Sequence, residues 1–539
     1  MRLAIASDHA GYELKTLLLN RLATEPDLTV LDLGTNAPSP PVDYPDYARA
    51  AAEAVVRGDV DRAIVVCGSG AGACMAAGKV PGARSFFAGD TYTAHQGVEH
   101  DDGNVLCLGE RVTGPELAVE IARVYLRAQF SDQEERHRRR VAKIAAIEAE
   151  SNFPLEALSR QGQSVWVDTI ARSMLTSGQL QRLAWDDRVV GVTSNPTIFE
   201  KAMGHEPEYE APARALAQQG KSAEDIYWAL AIEDIQGAAD VMRPVYTMTG
   251  GGDGFISLEC APAVAYDTQA TIDMTADLWR RLDRPNVMIK IPATPEGVPA
   301  IEASIAAGIN VNVTLMFSVE LYEQVARAYV AGLERFFSGR ESRTLRQSAS
   351  LQPAPLSVAS FFVSRVDTLV DKQLGDKISA TGSGNGDVSR YESLLGRAAI
   401  ANARLAYGSF LKIFDGPAWQ ALAGQGAQVQ RPLWASTSTK NPRYRDVRYV
   451  EELIGPHTVN TMPLETLSAF KDHGRVARTV DTPATQADAQ AVFRDLAAAG
   501  IDMDAVTLQL QKDGVRLFAE SFDKLIATLE GRRQALAHA

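Results

Sequence analysis

Val287-Met288-Ile289-Lys290-Ile291-Pro292 is an apolar run with a single charge in its middle. A strand at this place points its side chains into a core, where an ammonium is costly to keep. Desolvation disfavours the protonated form, so the Lys290 amine becomes available as a nucleophile toward a carbonyl, giving a Schiff base. The competing reading is a lysine that snorkels past the sheet to water. The segments around the run decide between the two.

Working outward, strand-then-helix units recur near 165–168, 189–193, 255–259, 287–291, 310–314, 356–363, 431–436 and 458–462. Eight such units predict a (β/α)8 barrel over 164–539, with the Gly-, Ser- or Pro-rich stretches Thr247 to Gly254 and Ser338 to Pro355 as insertions. Upstream, short β-branched runs alternate with helical stretches at Leu3 to Ser7, Val30 to Leu33, Ala63 to Cys67, Arg84 to Ala88 and Val105 to Leu108. They predict a separate α/β domain over 1–150, a doubly wound, Rossmann-like α/β/α parallel sheet of about five strands. Its last helices are expected from Pro115 to Gln129, with Leu117, Ile121, Val124 and Ala128 on one face, and from Ser131 to Glu150. The polar stretch 151–163, which contains a proline, reads as a linker.

The 539 residues carry a formal charge of -13, which argues against a general nucleic-acid binder. No run of about eighteen apolar residues offers a membrane span. Met1-Arg2-Leu3-Ala4-Ile5-Ala6 reads as a core strand because Asp8 and His9 interrupt it too early for a signal peptide, so the expected compartment is the cytoplasm. Cys67, Cys74, Cys107 and Cys260 show neither a CxxC pair nor metal spacing, so disulfides and a metal are not expected.

In such barrels chemistry collects at the C-terminal ends of the strands. The polar residues there are Asp168, Asn195, Glu259, Lys290, Asn312 with Thr314, Ser360 with Arg365, and Ser436 with Lys440. Singly each could be a cap or a satisfied buried group. Together they supply an amine, two carboxylates, hydroxyl and amide donors, and a cation for a phosphate.

Gly191-Val192-Thr193-Ser194-Asn195-Pro196-Thr197-Ile198-Phe199, Val287 to Thr294, Ile309 to Ser318, Trp434 to Pro442 and Val459 to Pro463 resemble, in order, the signature segments of transaldolase. The resemblance implies that Lys290 forms the Schiff base and that Asp168 moves the proton at the C4 hydroxyl. Glu259, through a water held with Thr314, would handle carbinolamine protons. Asn195, Asn312 and Ser360 would hold the dihydroxyacetone unit, and Arg365 the phosphate. Ser436 would also contact the substrate, and Lys440 or nearby Arg443 would be the second phosphate contact. A simple Schiff-base aldolase is the competing reading within the barrel.

In the first domain Cys67-Gly68-Ser69-Gly70-Ala71-Gly72-Ala73 follows a strand and opens a helix, forming an anion cradle. With Asp90 it also fits a dinucleotide fingerprint, but at the third strand and not the first. Ala6-Ser7-Asp8-His9-Ala10-Gly11, Asp43-Tyr44-Pro45, Glu99 to Val105 and Arg136-His137-Arg138-Arg139-Arg140 accompany that loop. All of these segments resemble ribose-5-phosphate isomerase of the B type. By that resemblance Cys67 moves the proton between C2 and C1, a role that suits a thiol lowered by helix amides, whereas Cys74 and Cys107 read as inert. Ser69 would assist, His100 would open the ring, and Asp8 would contact the sugar with Tyr44, Gly68, Gly70, Gly72 and Asn104. His9, Arg136 and Arg140 would clamp the phosphate, with Arg111 a further candidate. Asp101 stands where members of that family commonly carry Asn, and a carboxylate there would repel an enediolate.

Both resemblances together imply a cofactor-independent fusion acting on sugar phosphates in the non-oxidative pentose phosphate pathway. They also imply a homodimer in which His100 and Arg111 reach into the partner's pocket. The alternatives are a catalytically silent first domain that serves dimerisation or ligand binding, or a nucleotide-binding regulatory domain.

Overall fold

Five short runs of β-branched and small residues form the strands β1 (Arg2–Ser7), β2 (Thr29–Asp32), β3 (Arg62–Cys67), β4 (Ser85–Phe87) and β5 (Val105–Gly109). The structure is a computed structural model and describes residues 1–150, 154–344, 353–381 and 386–537. It divides into two units, Met1–Asn152 and Phe153–Ala539. In the first, the strands are all parallel in the order β2-β1-β3-β5-β4. Alternate strand side chains go to opposite faces. Leu3, Ile5, Ile64, Val66, Leu106 and Leu108 form one core layer with the helices Tyr12–Leu22 and Pro115–Arg127. Ala4, Ala6, Ala63, Val65, Cys67 and Cys107 form the other, where alanines such as Ala48, Ala51, Ala52, Ala73 and Ala77 let the helices Tyr44–Val56 and Ala71–Ala77 approach closely. Chain order reverses between β1 and β3, which opens a crevice at their C-terminal ends.

Three local expectations change. The helix Pro115–Arg127 turns Ala118, Val119, Ile121, Ala122 and Tyr125 inward and leaves Leu117 40% exposed, because small residues fit its close approach better than the leucine stripe. The charged helix begins at Glu135, since Ser131 bonds back to Glu99 and residues 131–134 form a turn. Of the expected linker, residues 151–153 lie outside the described residues. Pro154–Arg160 is a helix whose Leu155 and Leu158 are buried in the second unit's core.

That unit is a closed barrel of β6 (Gln163–Val167), β7 (Gly191–Val192), β8 (Phe255–Glu259), β9 (Val287–Pro292), β10 (Val311–Met316), β11 (Ser357–Phe362), β12 (Arg431–Ala435) and β13 (Thr458–Met462). Almost every strand residue is buried, as parallel strands covered on both sides require. Of the stretch expected as an insertion at Thr247 to Gly254, Thr247 to Gly250 are exposed, while Asp253 reaches the barrel's lower end. Asp253 there is paired with Arg431 at 2.9 Å and accepts from Ser164 Oγ and Trp166 Nε1. Of the second expected insertion, Ser338 to Thr344 is the last part of the helix Val319–Thr344, and 345–352 lie outside the described residues. Among the described residues no helix is long and apolar enough to cross a membrane.

Candidate active sites

The fourth barrel strand, β9, carries Lys290 inward and leaves it 4% exposed. Its Nζ donates to Ser194 O at 2.9 Å and lies 3.3 Å from Glu259 Oε2, so the buried ammonium has a carboxylate partner. Register places Glu259 on one side of Lys290 and Asn312 on the other. Above them opens a cavity of about 630 Å³ at the C-terminal ends of the strands, into which Asp168, Asn195, Lys290, Thr314, Ser360, Arg365, Ser436 and Lys440 all project.

Burial pushes the Asp168 carboxyl up from its ordinary range, opposed by Lys290, the Thr193 hydroxyl that donates to Oδ1 at 2.8 Å, and Arg365. Burial also pushes Glu259 up, opposed by Lys290 and aided by Asp168. Thr314 Oγ1 is buried without a hydrogen-bond partner among the described residues, and buried Glu259 Oε2 has only its ion pair with Lys290. Asn195 caps the helix Pro196–His205 through Oδ1, which leaves its Nδ2 without a partner among the described residues. Arg365 sits over the Phe362 ring, half-buried, with no hydrogen bond or ion pair among the described residues; burial lowers its pKa.

Two expectations shift. Asn312 is fully buried and donates to Ser257 Oγ while accepting from Ser360 Oγ, so it orients Ser360 from beneath the cavity and does not line it. Lys440, held by Ser438 Oγ at 2.8 Å, lines the cavity, whereas Arg443 does not. Lys201 also lines it, without an ion pair among the described residues. Sequence reasoning stopped at strand ends and missed this lysine on the second turn of the helix that Asn195 caps. Phe518, from a helix more than two hundred residues after Lys290, gives no local signal at all.

In the N-terminal unit the crevice gathers Asp8, His9, Tyr44 and the loop Cys67 to Gly72. Cys67 Sγ accepts the Gly70 N–H at 3.2 Å. A Cβ at Gly72 would come within 2.7 Å of the Tyr44 ring, so glycine lets that ring lie on the loop. Asp8 Oδ1 accepts from the Ala10 and Gly11 amides, and His9 Nδ1 is engaged with the Val42 backbone, which leaves Nε2 without a hydrogen-bond partner among the described residues. Ser69 is exposed at the loop tip. Arg111, expected to reach into a partner, instead lies 3.5 Å from where a Gly68 Cβ would be in its own chain, because it follows the C-terminal end of β5 beside β3.

His100, Asn104, Arg136 and Arg140 are elsewhere. His100 and Asn104 precede β5, so they sit at the N-terminal end of the sheet, opposite the end that carries Cys67. The Asn104 amide is used up between Arg84 N and Gly82 O, which removes it from the expected sugar contacts. His100 stacks on His137 with ring centroids 4.1 Å apart, and His137 is buried with both ring nitrogens unpartnered. Burial and neighbouring His100 lower the His137 pKa. Asp101, Arg136 and Arg140 are exposed near that stack. Hydrogen bonding from Cys107 lowers the Cys74 thiol to about 6, while that pairing and burial raise Cys107.

A family model described as Transaldolase/Fructose-6-phosphate aldolase matches residues 165–529, and one described as Ribose/Galactose Isomerase matches residues 3–144. The chain is 47% identical over 379 residues to a transaldolase of Saccharopolyspora erythraea, covering 70% of this chain and 97% of that protein. It is 48% identical over 377 residues to a transaldolase of Acidothermus cellulolyticus, covering 70% and 96%. Among solved structures, ribose-5-phosphate isomerase B of Clostridium thermocellum is 44% identical, covering 28% of this chain and all of that one, with a TM-score of 0.27. The corresponding enzyme of Mycoplasma genitalium, solved with bound ribulose 5-phosphate, is 39% identical, covering 28% and 97%, with a TM-score of 0.26. Matched over most of its length by one family and over its first unit by another, the chain belongs to the transaldolase/fructose-6-phosphate aldolase family, with a ribose/galactose isomerase domain fused ahead of the barrel.

Proposed function

We propose that the barrel moves dihydroxyacetone from sedoheptulose 7-phosphate to glyceraldehyde 3-phosphate, giving erythrose 4-phosphate and fructose 6-phosphate, and catalyses the reverse. The carrying observation is Lys290, a buried amine that shares its cavity with Asp168 and lies 3.3 Å from the Glu259 carboxylate, which does not itself line the cavity. The amine adds to the donor C2 carbonyl, and the carbinolamine loses water to form an imine. Glu259, through a water held with Thr314, moves the protons of that step, a role suited to a buried hydroxyl that lacks a protein hydrogen bond and a buried carboxylate whose Oε2 faces only the reacting amine. Asp168 then takes the C4 hydroxyl proton as the C3–C4 bond breaks and its electron pair enters the iminium as an enamine. The enamine attacks the acceptor aldehyde, the proton returns, and hydrolysis frees the ketose. A carboxyl raised by burial is suited to taking and returning that proton. Asn195 Nδ2, Ser360 and Ser436 hold the sugar oxygens, and Arg365, with Lys440, takes phosphate. Borohydride with fructose 6-phosphate should leave a stable adduct on Lys290; an adduct elsewhere, or none, sinks the assignment.

The N-terminal unit, in the same reading, interconverts ribose 5-phosphate and ribulose 5-phosphate. Cys67 carries the proton between C2 and C1 through an enediolate, Ser69 assists, His100 opens the ring, and His9, Arg136 and Arg140 hold the phosphate. Because His100 and Cys67 lie at opposite ends of the strands, a complete site takes its histidine, and with it Arg136 and Arg140, from a second copy, in a homodimer. Neither reaction needs a cofactor, and a cytoplasmic setting fits both. Asp101 favours a second reading, a silent dimerisation module, since a carboxylate beside His100 repels the enediolate. The two separate on ribose 5-phosphate isomerisation by the intact chain. Activity lost in Cys67→Ala supports the isomerase, and an inactive parent revived by Asp101→Asn supports the silent module.

A further inference from the structure

The helix Met503–Ala537 contributes no strand to the barrel, yet it meets the ends of the neighbouring strands β9 and β10, through the Ala293 carbonyl and the Leu315 side chain. On β10 the register breaks between Val313 and Met316, and Leu315 has φ +58°, a left-handed conformation that disfavours any residue with a Cβ. A break of this kind re-aims neighbouring side chains, and the neighbour here is Thr314, which lines the cavity with Lys290. The Leu315 side chain is buried against Gly514, where a Cβ would lie 2.8 Å from Leu315 Cδ2. A glycine inside a helix is otherwise unfavourable, and the close approach explains it.

One turn earlier, buried Gln511 donates to Ala293 O at 2.5 Å, and the Ala293 N–H donates to Thr314 O at 2.8 Å. Gln511, Gly514 and Phe518 share one helix face, and Phe518 reaches the cavity itself. The helix therefore meets the Thr314–Leu315 segment twice, through a side-chain key and through a hydrogen-bond path that also engages the end of β9.

We propose that Gly514 and Gln511 are positioning residues for the barrel's proton transfers: they hold Leu315 in its strained conformation and so aim Thr314 Oγ1 into the cavity beside Lys290. The proposal rests on the Schiff-base reading of the barrel.

The test is the single-turnover rate of borohydride-trappable adduct formation with fructose 6-phosphate, measured with KM and Tm on the full chain. Gly514→Ala and Leu315→Ala are each expected to slow adduct formation by between about tenfold and a hundredfold, with KM changed by no more than about twofold. Alanine is the better helix former, so a slow Gly514→Ala enzyme with an unlowered Tm points to Thr314 and not to a weakened helix. The double variant is expected to be no slower than the slower single one, because both changes break one contact. Gln511→Leu should slow the same step through the second contact, and it decides the matter alone if Gly514→Ala does not fold. Parent-like rates in Gly514→Ala or Gln511→Leu, or losses that multiply in the double variant, overturn the proposal. A parent that forms no adduct overturns the Schiff-base reading and this proposal with it.

Discussion

Two inactive chains should make an active isomerase when mixed. Cys67 is level with Gly109 across the β3–β5 pair, and Val105, at the start of β5, is four residues below it; His100 lies beyond Val105. At about 3.3 Å per residue the two side chains start at least about 13 Å apart along the strand, against a hydrogen-bond reach of about 3 Å. A two-fold pair in which each copy lends its histidine to the other's crevice has two equal sites. Mixing Cys67→Ala with His100→Ala chains and allowing exchange puts half of the dimers in the mixed form. Each mixed dimer has one site lacking both groups and one with both intact, so the expected recovery is about one quarter of parental activity per chain. The assay is ribulose 5-phosphate formation after co-expression or subunit exchange, with transfer activity of the barrel as the count of folded chains. Activity no greater than the sum of the separate variants, once exchange is shown to be complete, would refute the shared site.

Arg365→Ala removes an unpaired, half-buried guanidinium and should raise KM for sugar phosphates by about tenfold to a hundredfold, the loss of one strong charge-assisted contact. Lys201→Ala removes an exposed cation and should raise KM by less than about tenfold, with kcat retained; the reverse order in steady-state kinetics would misplace the phosphate. Asp367, accepting from Ala399 N and Tyr449 OH, has a carboxyl pushed up to about 6 by burial. Its folded-state pKa exceeds the unfolded value, so the stability it contributes is present in acid and lost as pH rises from about 4 to about 6. Asp367→Asn should therefore gain up to about 3 kcal/mol near neutrality and nothing near pH 4. Thermal unfolding of the full chain checks this, and a gain independent of pH would contradict it.

The strands were legible because a parallel strand buried on both faces is a continuous apolar run between polar turns: the run at 287–291 became Val287–Pro292. The strand ends then named most of the cavity. What escaped was set by partners remote in sequence. Asn312 has the composition of a sugar ligand, and only the positions of Ser257 and Ser360 show both ends of its amide already engaged. Leu117 fits an apolar stripe by spacing, yet the close sheet contact selects Ala118 and Ala122. Gly514 carries no signal until Leu315 is found against it. The opposite placement of His100 and Cys67 was legible in principle, since one precedes a strand and the other ends one, and parallel pairing separates those ends.

That contrast bears on what fusion achieves. The barrel takes the amine, the Asp168 carboxyl and the cations of its cavity, and the Glu259 carboxyl paired with that amine, from one chain, so one copy holds the whole proposed set. The crevice beside Cys67 has a thiol, a glycine loop and His9, but neither His100 nor the arginines of the charged helix. Dilution that separates copies should therefore leave transfer activity per chain unchanged while isomerisation falls. On the proposed reading, the fused chain would hold the two activities at a fixed ratio only at concentrations where it pairs, so pairing of the first unit, and not the peptide link, would set that ratio. Asp101, exposed beside His100, lies where a carboxylate could act against both the enediolate and the incoming crevice, which makes Asp101→Asn a probe of pairing as well as of chemistry.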